Sequence, residues 1–334
     1  MGFFGQPKSS TKKVLLFDCC KYAMDYSALI AQELTKKGVS FTPVYHCFEN
    51  QRAPHTGWQM RLPDFDTDIL LLHFQDLVNI RDGRVLELEQ VEQRYGSRAD
   101  RVVVSYWNHG LDQIYTGPIK LVEFSNHNYD LANNLYQRWP EWQHIVGQFR
   151  TQAWQCLNGR MCDHRSRVMH VLKDWPGGVL SYHDRIRLPH WDYTQYTYNN
   201  VDNFINLDYV YGSCAVNIVT ETEYATTPGI ISEKTLLAMA AEQIPIVIGH
   251  QGIVQHCQEL GFDMFTDLVD VSYDSMPNEH RAEQAIALNK DLILGQIDLT
   301  PYCERLQAQR EFLLDDYATV MELRLQRDIN NLNW

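Results

Sequence analysis

Two charged residues stand at the start of a predicted helix that is otherwise apolar. Glu233 and Lys234 follow Ser232, a candidate N-cap, and precede the run TLLAMAAEQ. A glutamate in the first turn interacts favourably with the helix dipole, whereas a lysine there does not. A bound phosphate would account for the lysine, and the glutamate carboxylate could accept hydrogen bonds from a ribose diol. The pair alone leaves an ordinary, ligand-free first turn open as the alternative.

A second cluster of basic residues follows the predicted strand TQAWQCLN. The segment NGRMCDHRSR, residues 158–167, contains Arg160, His164 and Arg165 where the next helix is predicted to begin. Cations at a helix N-terminus are unfavourable unless a bound anion accompanies them, and arginine matches a diphosphate with two parallel hydrogen bonds. The cluster therefore indicates a phosphate site, with a solvated basic turn as the alternative.

The turn GHQG, which begins at Gly249, joins a predicted strand to a predicted helix. Backbone N–H groups at such turns often contact phosphate. The motif is too short for the G-x-G-x-x-G pattern, so a plain turn between strand and helix is the alternative.

No metal site is predicted. The acidic residues of PDFDTD, residues 63–68, precede an apolar run instead of following one, which places them at the wrong end of a sheet to hold a nucleotide-bound metal. The sequence also lacks the HExxH and CxxC signatures of zinc sites.

Strand and helix patterns alternate through the first half of the chain. Apolar runs of strand length occur at 13–20, 39–47, 67–74, 101–107 and 119–126, with amphipathic helical patterns at 26–38 and 84–96. A helical stretch near 130–150, interrupted at Pro140, follows them. Short β-rich runs separated by helices predict a parallel, doubly wound sheet.

The same alternation begins again at residue 151. Strands are predicted at 151–158, 177–183, 213–221 and 244–249, helices at 164–175, 233–243 and 252–262, and a mostly helical region at 279–328. We therefore predict an α/β protein of two Rossmann-like, doubly wound domains with a C-terminal helical tail, bounded at 1–150, 151–300 and 301–334. Ligands bind at the carboxyl ends of strands in such sheets, so we expect a site in the cleft between the domains.

The composition is that of an ordinary globular enzyme. The 334 residues are 45% hydrophobic and 21% charged, with a net charge of −13. This charge disfavours a general nucleic-acid-binding surface, although a local basic cleft stays open. Of the eight cysteines, Cys19 and Cys20 are adjacent and the other six lie apart, and no run approaches the roughly 18 apolar residues of a membrane span. The N-terminus lacks the apolar core of a signal peptide, so we expect a reduced, cytoplasmic protein.

Together, the motifs of the second half resemble the donor domain of GT-B glycosyltransferases, closest to the α1,3-fucosyltransferase type. That family opens its donor domain with a strand ending in Asn, followed by a phosphate-binding Arg, as CLNGRMCDHRSRVMHVL does. The matching positions are Asn158, Arg165, Glu221, Glu233, Lys234, Pro245 and Gly249. The segment 249–286 also resembles glycosyltransferase-like proteins of bacteria and their phages, through Gly252, Leu260, Gly261, Phe262, Phe265 and Ser272-Tyr273-Asp274.

The resemblance implies a hexosyl- or pentosyltransferase that moves a sugar from a nucleotide-diphosphate donor to a hydroxyl acceptor, without a metal or further cofactor and with inversion. Lys234 and Arg165 would neutralise the diphosphate leaving group, with Arg160 and His164 beside them. Glu233 would hold the ribose, and Glu221 would approach the sugar or base. A base from the acceptor-side domain would deprotonate the acceptor, and the candidates after its strands are Asp18, His109, Glu123 and His127.

Two alternatives stay open at this point. A phage-type DNA glycosyltransferase would act on a hydroxymethylated base and would need a basic groove, for which the candidates are Arg61, Arg81, Arg84, Arg94, Arg98 and Arg101. A non-enzymatic α/β module would bind a nucleotide or a partner protein. No Asn follows Glu221, and Ser232 replaces the usual Thr, so the donor nucleotide and sugar are left open. The acceptor and the oligomeric state are left open as well.

Overall fold

The computed structural model describes residues 13–20, 28–47, 52–53, 57–58, 62–74, 80–81, 84–106, 110–147, 150–159, 162–182, 200–224 and 229–332. The chain divides into two compact units. The first unit contains Met1–Asn126 and Glu322–Trp334, and the second contains His127–Met321. Residues 127–150 are thus grouped with the second sheet, and the end of the chain with the first. The assignment of an acceptor-side and a donor-binding domain stays a prediction.

The first unit is built around one parallel sheet. Its strands and helices are β1 (Lys13–Cys20), α1 (Ala28–Lys36), β2 (Ser40–Cys47), β3 (Arg52–Ala53), β4 (Gly57–Trp58), β5 (Ile69–Phe74), β6 (Ile80–Arg81), β7 (Arg84–Val85), α2 (Leu86–Tyr95), β8 (Val102–Tyr106), α3 (Leu111–Ile114) and β9 (Lys120–Glu123). The five long strands are parallel, in the order β2-β1-β5-β8-β9, and the pairs β3-β4 and β6-β7 are short antiparallel ribbons.

The centre of this sheet is buried on both faces, as an uninterrupted apolar run predicts. Leu70, Leu71 and Leu72 of β5 are at most 1% exposed, and every residue of β8 is buried. One polar pair lies in this core, where His73 Nδ1 is 3.1 Å from Ser105 Oγ on the adjacent strand. Burial lowers the pKa of His73 to about 3, so the pair is neutral.

The second unit follows the same plan with a smaller sheet. Its elements are α4 (Asn126–Gln137), α5 (Trp139–Trp142), β10 (Gln152–Asn158), α6 (Asp163–Leu172), β11 (Gly178–Tyr182), α7 (Asn200–Asn206), α8 (Asp208–Ser213), β12 (Cys214–Thr220), α9 (Glu233–Ala240), β13 (Ile244–Ile248), α10 (Ile253–Glu259), α11 (Asn278–Leu288), α12 (Lys290–Ile293), α13 (Cys303–Glu311) and α14 (Tyr317–Asn331). Its four strands are parallel, in the order β11-β10-β12-β13. From Glu322 onwards, α14 belongs to the first unit.

Small and apolar side chains pack α9 against this sheet. Leu236, Ala238 and Ala240 are fully buried, and β12 and β13 consist almost entirely of buried residues. The carboxyl ends of β10, β12 and β13 lie along one edge, because Thr220 pairs in register with Ile248 and the parallel strand β10 runs beside β12. This edge is therefore where α6, α9 and α10 begin.

The predicted fold class is confirmed: the chain is α/β, with two parallel sheets flanked by helices and a helical C-terminal region.

A π-helical turn, Phe312–Asp316, joins α13 to α14. The Phe312 ring lies where a side chain on Gly261 would project, 2.7 Å from the position that a Cβ would take, and Gly261 has a φ of +102°. Both conditions favour glycine at this helix end.

Candidate functional site

The first turn of α9 is held by Ser232 and by the fully buried Glu221. Ser232 is the N-cap, as predicted, and its Oγ accepts a hydrogen bond from the N–H of Lys234 at 3.4 Å. Glu221 Oε1 accepts from the N–H of Ser232 at 3.0 Å and from the hydroxyl of Thr235 at 2.5 Å. A carboxylate at a helix N-terminus satisfies free N–H groups and interacts favourably with the dipole. Glu221 therefore fixes where α9 starts.

Glu221 was predicted to approach the donor sugar or base. In the structure both of its carboxylate oxygens accept hydrogen bonds from the protein. Oε1 accepts from Ser232 and Thr235, and Oε2 accepts from the N–H of Thr222 at 3.3 Å. Its contact with a donor stays a prediction, and the structure shows its hydrogen bonds to the helix start.

Lys234 and Glu233 form an ion pair at the same helix start, and both keep exposed atoms. Lys234 Nζ donates to Glu233 Oε1 at 2.6 Å, to Ser232 Oγ at 3.2 Å and to Thr222 Oγ1 at 3.4 Å. The two side chains are 26% and 23% exposed. Burial opposes ionisation of Glu233, but the Lys234 charge, the nearby His127 and the hydrogen bond from Lys234 hold the pKa of Glu233 well below its usual range. Glu233 is therefore ionised at neutral pH.

His127 lies beside this ion pair. Its Nε2 is 3.8 Å from Glu233 Oε2 and 3.1 Å from Asn200 Nδ2. The adjacent Asn128 donates from Nδ2 to the carbonyl of Ile231 at 3.0 Å, which ties the start of α4 to the loop before α9. His127 was predicted as a candidate base of the first domain, whereas its contacts place it in the second unit.

The polar side chains at the end of β10 link neighbouring strands. Asn158 Oδ1 accepts a hydrogen bond from the hydroxyl of Thr220, the last residue of β12. The N–H of Asn158 donates to Ser181 Oγ of β11 at 3.2 Å. Asn158 therefore holds three strand ends in register, directly before the turn that leads to α6.

His164 and Arg165 are buried and bind backbone carbonyls. Arg165 donates from one guanidinium nitrogen to the carbonyls of Thr220 at 3.1 Å and Glu221 at 3.2 Å. His164 Nε2 lies 3.0 Å from the carbonyl of Glu221, and its ring stacks on Tyr224 with centroids 4.5 Å apart. A carbonyl only accepts, so the proton of His164 is on Nε2. Burial lowers the pKa of His164 to about 4, so the ring is neutral at pH 7.

These contacts give the predicted phosphate-binding pair a structural role at the end of β12. Arg165 Nε is also buried and has no hydrogen-bond partner among the described residues, so this guanidinium retains an unused donor. Direct binding of phosphate by His164 or Arg165 stays a prediction.

Gly249 permits a close approach between the end of β13 and Glu221. A Cβ at this position would lie 2.5 Å from Ile253 Cδ1 and 3.1 Å from Glu221 Cβ. The carbonyl of Gly249 accepts from Arg281 Nε at 3.0 Å. A larger residue would therefore force the Ile253 side chain to shift and would crowd Glu221.

Arg281 is a positioning residue that the sequence motifs did not reveal. It is fully buried in α11 and donates to the carbonyls of Gly249, Met276 and Tyr224 at 2.7 to 3.0 Å. The sequence feature that could have revealed it is its position in NEHRAEQAI. Arg281 lies there on the face of α11 that also contains the buried Ala282 and Ala285. A cation on an apolar helix face implies buried acceptors nearby.

The remaining predicted residues lie elsewhere. Arg160 and His109 fall outside the described residues. The backbone of Asp18 lies in β1, in register with His73. Glu123 ends β9 in the first unit and is partly buried. In the described part of the chain, no three His, Cys, Asp or Glu side chains come together as metal ligands would.

The arginines proposed for a basic groove have protein partners where their side chains are described. Arg84 pairs with Glu89 at 2.5 Å, and Arg94 pairs with Asp64 at 2.6 Å. Arg101 donates to the carbonyl of Asp68 at 2.8 Å. The side chains of Arg61 and Arg81 fall outside the described residues.

A comparison with protein-family models finds no match, and a comparison with curated protein sequences finds none either. Several solved structures are similar. HepE (Alr3699) of Anabaena, solved with UDP and glucose, has a TM-score of 0.46 at 10% identity, covering 96% of this chain and 100% of its own. An α1,3-fucosyltransferase gives 0.34 at 11% identity, covering 93% and 92%. The α1,3-fucosyltransferase structure with GDP gives 0.35 at 11%, covering 92% of each.

Among the described helices, none is long and apolar enough to cross a bilayer.

Proposed function

We propose that this protein is a glycosyltransferase that moves a sugar from a nucleotide-diphosphate donor to a hydroxyl acceptor. The proposal rests on one observation: the Lys234 side chain is partly exposed at the N-terminus of α9, at the carboxyl edge of a parallel sheet. Ligands of parallel α/β sheets bind at this edge, and helix N-termini favour anions.

The energetics of the helix start support a ligand. A cation in the first turn costs roughly 0.3–1 kcal/mol through the helix dipole. The partly exposed ion pair with Glu233 returns roughly 0–1 kcal/mol, so the two effects nearly cancel. The dipole and this ion pair alone therefore give little reason for a lysine at this position, whereas a diphosphate beside the helix start would interact favourably with both the dipole and the ammonium.

In the proposed reaction, Lys234 neutralises the diphosphate as it leaves, a role that needs no metal. Glu233, ionised at neutral pH, accepts hydrogen bonds from the ribose hydroxyls through the lone pairs that Lys234 does not use. We assign the acceptor base to His127, because its ring lies beside the Glu233–Lys234 pair, with Nε2 3.8 Å from Glu233 Oε2. A base separate from the leaving group favours inversion at the anomeric carbon.

A thermal-shift screen with UDP, GDP, CDP and their sugars tests the proposal. A nucleotide at about 100 times its Kd stabilises the folded protein by roughly 2.7 kcal/mol, which a melting curve resolves. Lys234→Ala should abolish the shift. Lys290→Ala is the matched control, because Lys290 also occupies the first turn of a helix in the same unit, and this variant should keep the shift.

The proposal fails if no nucleotide diphosphate stabilises the wild-type protein, or if Lys234→Ala gives the full shift. A nucleotide that binds without any turnover of its sugar would instead favour a non-enzymatic binding module. Salt-dependent binding to duplex DNA would favour the DNA acceptor.

A further inference from the structure

A polar cavity of about 520 Å³ lies within the first unit. Its walls come from the edge strand β9, from α3 and from the last turns of α14, all of which belong to this unit. The volume falls in the range of roughly 300–1,000 Å³ that is typical of small-molecule sites. Neither the α9 cluster nor the strand ends of the second sheet contribute to it.

One face of α14 forms a wall of this cavity. Arg324, Asp328 and Asn331 follow one another at helical spacing and line the cavity. The intervening Leu325 and Ile329 are at most 1% exposed. The amphipathic pattern of the helix therefore buries its apolar side and presents a row of hydrogen-bonding side chains to the cavity.

Tyr106 and Glu123 form the opposite side. They occupy paired register positions at the carboxyl ends of β8 and β9, so both strand ends face the same space. Burial, together with the negative charges of Glu123 and Asp112, raises the pKa of Tyr106 well above its usual range. The phenol therefore keeps its proton and is able to donate a hydrogen bond.

The cavity is lined by equal numbers of cationic side chains and carboxylates. The cationic side chains are Lys120, Arg324 and Arg327, and the carboxylates are Asp112, Glu123 and Asp328. Arg327 and Asp328 pair with each other at 3.0 Å. A site for a phosphate or another anion would carry an excess of positive charge, so this balance favours an uncharged ligand.

A cavity lined by both carboxylates and guanidinium groups suits a ligand rich in hydroxyl groups. A carboxylate accepts from a hydroxyl, and a guanidinium donates to its oxygen, so a polyol satisfies both. Leu121 and Leu332 supply apolar lining that C–H groups of a sugar ring would contact. We propose that this cavity binds a neutral saccharide. Combined with the proposed function, on which this second step rests, the acceptor is then a neutral glycan.

Binding of the full chain to an array of neutral and anionic glycans tests the proposal, with titration calorimetry on the best neutral glycan. Glu123→Gln and Arg324→Met should each weaken that binding at least tenfold, because each removes a charge-assisted hydrogen bond. Glu89→Gln, which alters a carboxylate of the same unit paired with Arg84 away from the cavity, should leave it unchanged.

Lys234→Ala separates this proposal from the proposed function. The variant should lose stabilisation by nucleotide diphosphates and retain the glycan affinity of the wild type. The saccharide site is refuted if no neutral glycan binds, if only anionic glycans bind, or if Glu123→Gln and Arg324→Met bind as the wild type does. Glycan binding without any stabilisation by nucleotide diphosphates would support the saccharide site in the cavity and refute the proposed donor site.

Discussion

Replacing Glu221 by glutamine separates a structural role of this carboxylate from a direct role in donor binding. The substitution keeps the shape of the side chain and removes its charge. Oε1 would still accept from Ser232 and Thr235, whereas an amide nitrogen at the position of Oε2 would face the N–H of Thr222, which is also a donor. The substitution therefore acts on the start of α9 and on the N–H of Thr222, which follows β12.

The expected loss of stability follows from the hydrogen bonds. A bond to a charged group contributes roughly 1.5–3 kcal/mol and a bond between neutral groups roughly 0.5–1.5 kcal/mol. The two bonds to Oε1 should then lose about 1 kcal/mol each, or ~2 kcal/mol together. In a unit of this size such a change lowers Tm by ~4–8 °C. Glu233→Gln in the first turn of α9 should cost less than about 1 kcal/mol, because its ion pair is partly exposed.

Urea unfolding of the ligand-free protein, followed by tryptophan fluorescence, measures both variants. Glu221→Gln should lower the free energy of unfolding and reduce nucleotide stabilisation only modestly. The opposite result would refute the reasoning: unchanged ligand-free stability together with a loss of nucleotide binding greater than tenfold would show that Glu221 contacts the ligand.

Three further predictions concern the residues that hold the site. Gly249→Ala should cost roughly 1–3 kcal/mol through the contact with Ile253, and Ile253→Val should recover part of this in the double variant, as a double-mutant cycle of unfolding would show. The pKa of His164 falls to about 4 on folding. The stability of the wild type relative to His164→Gln should therefore decrease by up to ~3 kcal/mol as pH falls from about 6.5 to 4. Equal pH profiles of stability for the two proteins would contradict this. Arg281→Met should cost roughly 3–5 kcal/mol, because two buried carbonyls and one partly buried carbonyl lose their donor, and Arg281→Lys should restore only part of it in the same assay.

The strands and most helices could be predicted because their signals are local. The uninterrupted apolar runs of β5 and β8 indicate strands buried on both faces, and the structure has them there. The helices α7 and α8 were not predicted, since their short segment NVDNFINLDYVYGS contains too few turns for a clear period. The short ribbons such as β3-β4 have only two residues in each strand, below the length at which alternation is detectable.

The position of the candidate site could be predicted from the sequence, whereas the hydrogen-bond partners of its residues could not. Residue type and spacing place Asn158, Glu221 and Lys234 near strand ends, and the structure brings them to one edge of the sheet. The hydrogen-bond partners of Glu221 and Arg165 depend on which backbone groups lie nearby after folding, and spacing along the chain carries no such information. The contact between His127 and Glu233 joins residues more than a hundred positions apart, so no local pattern reveals it.

The end of β12 explains why these charges occur together. The carbonyl of Glu221 accepts from His164 and Arg165, while its carboxylate accepts from Ser232 and Thr235. One residue therefore joins the start of α6 to the start of α9, and the position of Lys234 depends on it through the first turn. Most of these polar side chains form hydrogen bonds with backbone groups of the protein itself. The Glu233–Lys234 pair differs because both side chains remain partly exposed, so an ion pair of this kind contributes little to folding and its atoms are accessible to a ligand.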